Sequence, residues 1–153
     1  MPVKDEFPLF LVEDSDDDLF LFRRLLTKAE VRNPLMIATN GQAAIDQLAR
    51  LAPDGPADGI PALMFLDLKL PLRSGFEVLQ WVRSEPRFTQ TAVIVLSSSA
   101  EARDVKRAYD LGAQSYLVKY PGPQVFREVI DTVGHRPPDV PLACLRFPGV
   151  PRP

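Results

Sequence analysis

A chain of 153 residues with 20 acidic and 18 basic side chains is long enough for one domain with a buried core, and its net charge of −2 offers no basic surface for nucleic acid. Hydrophobic content of 46% and charged content of 25% suit a globular protein in water, and no run approaches the ~20 apolar residues of a membrane span. The single Cys144 closes no internal disulfide, and Asp5 and Glu6 ahead of a short apolar run argue against a signal peptide, so a cytoplasmic protein is expected.

The first apolar run, residues 9–12, is too short for a helix and reads as a strand that ends on Glu13 and Asp14. Helical periodicity follows over about 17–29, with Asp16, Asp17 and Asp18 expected to cap that helix and complement its dipole. A second strand is expected at 35–38 and a second helix at 41–51. The segment 52–61 (APDGPADGIP) reads as a turn-rich connection. Residues 63–66 form a third strand that runs directly into Asp67. Ser74-Gly75-Phe76-Glu77 has capping-box spacing and predicts a helix over 76–84. A fourth strand at 93–96 ends at Ser97, and a helix at 101–111 is closed by Gly112. A fifth strand at 116–118 ends at Lys119, and a last helix covers 123–133. Beyond Gly134 the composition changes, since residues 135–153 hold six of the chain's 16 prolines.

Continuously apolar strands alternating with helices predict an α/β domain over 1–134, with a doubly wound five-stranded parallel sheet and helices on both faces. Ligands in such sheets bind beyond the carboxyl ends of the strands. Glu13, Asp14, Asp67, Ser97 and Lys119 all stand at such ends. A carboxylate can attack a phosphoryl donor, as in other covalent catalysis, but facing a phosphate it needs a cation. Clustered carboxylates suit Mg²⁺, while a lysine and a hydroxyl can pair with phosphoryl oxygens. One isolated aspartate at a strand end would be an ordinary turn residue. Chance has to fill four strand ends correctly to produce this set.

The segments LVEDSDDD, FLDLKLPLRSGFEVL, VIVLSSS and KRAYDLGAQSYLVK resemble the receiver domain of two-component response regulators, over about residues 8–133. The resemblance implies a flavodoxin-like sheet of strand order 2-1-3-4-5 and a phosphorelay function outside enzyme catalysis in the usual sense. It implies Asp67 as phosphoacceptor, and Mg²⁺ held by Glu13, Asp14, Asp67 and the backbone carbonyl of Lys69. Ser97 and Lys119 take the positions that contact phosphate, and Tyr116 that of an aromatic switch. The partner implied is a sensor histidine kinase or a phosphotransfer protein. Where the family has a cis proline after the lysine, this chain has Tyr120. A cis bond before a non-proline residue costs about 2.5–4 kcal/mol, so a trans bond and a reshaped loop are expected, stiffened by Pro121 and Pro123.

Leu19, Phe20, Leu21, Phe22, Leu25 and Leu26 make the first helix apolar on more than one face, which reads either as deep burial or as a docking surface. On the last helix, the stripe Val125, Phe126, Val129, Ile130 and Val133 is wider than one seam needs. The chain is similar to single-domain regulators paired with bacterial phytochrome kinases, some of which dimerise through the last helix and a C-terminal extension. The tail 135–153, with Leu142, Leu145, Phe147 and Val150, is thus expected to be a dimer arm or disordered. Two rival functions remain open. One is a receiver-like scaffold that signals without phosphorylation. The other is a Mg²⁺-dependent phosphohydrolase, disfavoured because Asp67-Leu68-Lys69 lacks a second acid two residues on.

Overall fold

Strands and helices alternate from Leu9 to Gly134 in the computed structural model, which describes residues 7–51, 59–119 and 121–153. In chain order they are β1 (Leu9–Val12), α1 (Asp16–Lys28), β2 (Leu35–Ala38), α2 (Gly41–Ala49), β3 (Leu63–Asp67), α3 (Gly75–Ser84), β4 (Ala92–Ser97), α4 (Ala102–Asp110), β5 (Ser115–Val118) and α5 (Pro123–Gly134). All pairings are parallel, and the sheet order is β2-β1-β3-β4-β5. The order turns back between β1 and β3, so the crevice beyond their carboxyl ends is where a ligand is expected.

Alternation along the strands divides the core in two. Phe10, Val12, Met64, Leu66, Val93, Val95 and Tyr116 point to the face covered by α2, α3 and α4. Leu9, Leu11, Leu63, Phe65, Ala92, Ile94 and Leu117 point to the face covered by α1 and α5. The central strands are therefore apolar at every position before their last residues, Asp67 and Ser97. β3 and β4 extend one residue further than the apolar runs alone suggest, because Asp67 pairs with Leu96 and Ser97 with Val118.

The helix starts refine the sequence reading. Ser15 is the N-cap of α1, its Oγ accepting from the Asp18 N–H at 3.3 Å, so the three aspartates are first-turn residues and none is the cap. Ser74 and Glu77 form the expected capping box at α3. Gly112 follows α4 with φ +101°, where a side chain would be strained. The first helix is not deeply buried all round: Phe22 and Leu26 face the core, whereas Phe20 is 64% exposed. On α5 the whole apolar stripe packs inward, Phe126, Val129 and Ile130 fully and Val125 and Val133 in part.

The tail returns across the open edge of β5. Leu142 is buried, with Leu145 and Phe147 packed beside it on the α1/α5 side, and Val150 reaches the opposite core. Val150 N–H donates to the Tyr116 carbonyl at 2.8 Å, the Ser115 hydroxyl to the Pro148 carbonyl, and the Tyr109 hydroxyl to the Val150 carbonyl. Arg152 lies over the Tyr109 ring, 4.9 Å from its centroid. Among the described residues no helix is long and apolar enough to cross a membrane.

Candidate functional site

Four of the five strands deliver polar groups to the crevice, and β2 delivers none. β1 passes into Glu13 and Asp14, β3 ends on Asp67, β4 ends on Ser97, and β5 passes into Lys119. Glu13 and Asp67 are buried and Asp14 is exposed, and one carboxylate oxygen from each lies within 4.8 Å of the others. The Lys119 ammonium joins them, 2.9 Å from Glu13 Oε2 and 3.2 Å from Asp67 Oδ2. The backbone holds the same carboxylates from the other side: Lys69 N–H donates to Asp67 Oδ1 at 3.3 Å and Ser15 N–H to Glu13 Oε1 at 3.2 Å. Gly75 permits this turn, since a Cβ there would stand 2.2 Å from the Asp67 carbonyl oxygen.

Burial sets the electrostatics. Desolvation raises Glu13 to about 7; the Lys119 hydrogen bond works against that rise, and the Asp67 charge adds to it. Burial alone would lower Lys119, but hydrogen bonds to Asp18 and Glu13, with the Asp67 charge, outweigh it and hold the ammonium above its ordinary value. The donor set is all oxygen and its carboxylates repel one another. These residues fit a hard divalent cation, which would relieve that repulsion.

Ser97 and Tyr116 complete the rim. Ser97 is buried, and its Oγ accepts from Ser99 N–H at 3.3 Å. Tyr116 is fully buried with its ring in the core, and its hydroxyl donates to the Ser99 carbonyl at 2.8 Å. Burial raises the Tyr116 hydroxyl above its ordinary value, against a hydrogen bond to Ser97 that lowers it. The expected trans bond at Tyr120 lies outside the described residues.

Sequence reasoning missed Asp18. Its carboxylate leaves the helix terminus and binds Lys119 Nζ at 2.8 Å, the shortest of that ammonium's three carboxylate contacts. A run of three aspartates in a first turn hides this role. The usable signal was Ser15, which does the capping and frees the acids behind it.

The family model described as response regulator receiver domain matches residues 9–131. The probable methanogenesis regulatory protein FilR2 of Methanothrix harundinacea is 32% identical over 133 residues, 87% of this chain and 83% of that protein. The response regulator Rcp1 of Synechocystis sp. is 34% identical over 113 residues, 72% of this chain and 75% of that one. Among solved structures, the bacteriophytochrome response regulator AtBRR superposes with a TM-score of 0.70 at 35% identity, covering 84% of this chain and 92% of that one. The Mn²⁺-bound form of Rcp1 superposes with a TM-score of 0.65 at 30% identity, over 81% of this chain and 88% of that one. The strand ends described above and these matches agree: the chain belongs to the response regulator receiver domain family, which serves two-component signalling by accepting a phosphoryl group on an aspartate.

Proposed function

We propose that the protein is a single-domain response regulator whose phosphoacceptor is Asp67. The observation that carries this reading is the joint approach of Glu13, Asp14, Asp67 and Lys119 at the end of the sheet. An Asp67 carboxylate oxygen forms a bond to phosphorus as the P–N bond of a phosphohistidine donor breaks, and the electron pair stays on the imidazole nitrogen. Glu13, Asp14, Asp67 and the Lys69 carbonyl would hold Mg²⁺, which supplies the positive charge a phosphoryl group needs to approach these acids. Lys119 balances charge on the transferred group, and Ser97 donates a hydrogen bond to it. The buried Tyr116, bonded to the Ser99 carbonyl, couples that hydroxyl to the β5 surface.

The donor is a sensor histidine kinase or a phosphotransfer protein, and a bacterial phytochrome kinase is the specific candidate. Its support is the likeness to the bacteriophytochrome response regulators AtBRR and RtBRR, both at 35% identity. The reading includes a cytoplasmic location and a homodimer formed through α5 and the tail. Within one chain the tail already meets these β5 groups, so the dimer requires the two tails to exchange between copies.

Incubation with a small phosphodonor and Mg²⁺ tests the acceptor. One acid-stable, base-labile acyl phosphate is expected, absent from Asp67→Asn. Undiminished labelling of that variant would overturn the assignment.

A further inference from the structure

We infer that Asp18 is a positioning residue that aims Lys119 at the phosphoryl group, an assignment that rests on Asp67 being the acceptor. An ammonium has three hydrogens, and here Glu13, Asp18 and Asp67 accept them at 2.9, 2.8 and 3.2 Å. Two of these acceptors have a second task. Glu13 and Asp67 belong with Asp14 to the trio that can hold a cation, and Asp18 does not. When the cation and the phosphoryl group claim Glu13 and Asp67, only the Asp18 contact is committed to Lys119 alone.

The fold keeps that contact in place. Asp18 sits in the first turn of α1, where Ser15 has taken over the capping, so its carboxylate is free to reach a residue 101 positions away in the chain. One turn further along, Phe22 packs edge-on against Phe65 of β3 and Phe126 of α5, with ring centroids 5.1 and 5.2 Å away. Phe65 lies two residues before Asp67 on the same strand. The anchor for Lys119 is thereby tied to the strand that carries the acceptor. The Asp67 contact is the longest of the three and is the one to be exchanged, its hydrogen swinging to a phosphoryl oxygen while the Asp18 bond holds.

The test compares wild type, Asp18→Ala and Asp18→Asn for phosphorylation by acetyl phosphate with Mg²⁺, with rates normalised to folded protein. Misplacing a reacting partner by about 1 Å costs up to roughly a hundredfold in rate, so Asp18→Ala is expected to be slower by about tenfold or more. Asp18→Asn keeps an amide oxygen that can accept from the ammonium, and most of the rate is expected to return. If both variants label as fast as wild type or faster, Asp18 acts only as a repelling charge and the assignment fails. It also fails if both are equally slow, since charge alone would then be at work.

Side-chain NMR of Lys119 in the unphosphorylated protein saturated with Mg²⁺, where the cation competes for Glu13 and Asp67, gives a second measurement. Order should be lost in Asp18→Ala and kept in Asp18→Asn; unchanged order in Asp18→Ala overturns the proposal whatever the kinetics. A wild-type protein that takes no label at all overturns the acceptor reading instead, a failure that the Lys119 order separates from loss of the Asp18 tie.

Discussion

Val150 donates its backbone N–H to the carbonyl of Tyr116 at 2.8 Å, so a proline-rich tail continues the hydrogen bonding of the sheet at its open edge. The same Tyr116 reaches the Ser99 carbonyl through its hydroxyl, and Ser99 N–H reaches the Ser97 oxygen. Three hydrogen bonds therefore connect the candidate phosphate-binding hydroxyl to the C-terminal segment.

That docking depends on Gly149, whose φ is +140° and whose Cβ, if present, would stand 2.2 Å from Ser115 Oγ. Gly149→Ala should detach the segment around Val150 and leave the sheet folded. Amide hydrogen exchange checks this: faster exchange is expected at Val150, with the amides of β1 and β3 unchanged. Retained protection at Val150 would show that the tail does not need this backbone conformation.

Asp14 is the exposed member of the carboxylate trio, so its removal should affect cation binding more than folding. Asp14→Asn is expected to weaken Mg²⁺ binding on the order of tenfold or more, since even outer partners of metal ligands commonly contribute that much. Titration calorimetry with Mg²⁺ measures it, and an unaltered affinity would remove Asp14 from the site.

Phe20 is 64% exposed on α1 and contributes little to the core. Phe20→Ser should shift stability by no more than about 0.5 kcal/mol. If this face receives the donor, transfer from a cognate histidine kinase slows while labelling by acetyl phosphate keeps its wild-type rate. Equal slowing with both donors would place the defect in the site and not in docking.

Arg83 supports the far side of the sheet. Its guanidinium donates to the carbonyls of Gly112, Phe88 and Thr91 and to the Gln114 side chain at 2.6 to 3.2 Å. Arg83→Ala leaves those acceptors without a charged donor and is expected to cost about 3 kcal/mol, read by denaturant unfolding. Arg83→Lys should recover little, because an ammonium cannot reproduce the planar fork.

How much of this was readable in advance depended on whether a signal is local. The strand ends were legible because four of the five apolar runs stop abruptly at Glu13, Asp67, Ser97 or Lys119, and alternation with helical segments forces a covered parallel sheet. Ser74 and Glu77 announced α3 through side chains three residues apart. Asp18 gave no such signal. Its partner lies 101 residues away, and its position within an acidic first turn made dipole complementation the simpler account. The apolar excess of the first and last helices was equally ambiguous: both were stripes in sequence, yet α5 turns all five residues inward and α1 leaves Phe20 in solvent.

The tail shows the same limit. Its prolines exclude a continuous helix, but only the unpaired edge of β5 determines where Val150 N–H and Pro148 C=O find partners. The amino-acid sequence alone determined the order of elements and which reactive groups end each strand, because hydrophobic period and capping act over a few residues. The tertiary structure alone decided that Asp18 shares Lys119 with Glu13 and Asp67, and where the tail lies, because ion pairs and edge hydrogen bonds depend on distances that folding sets between remote parts of the chain.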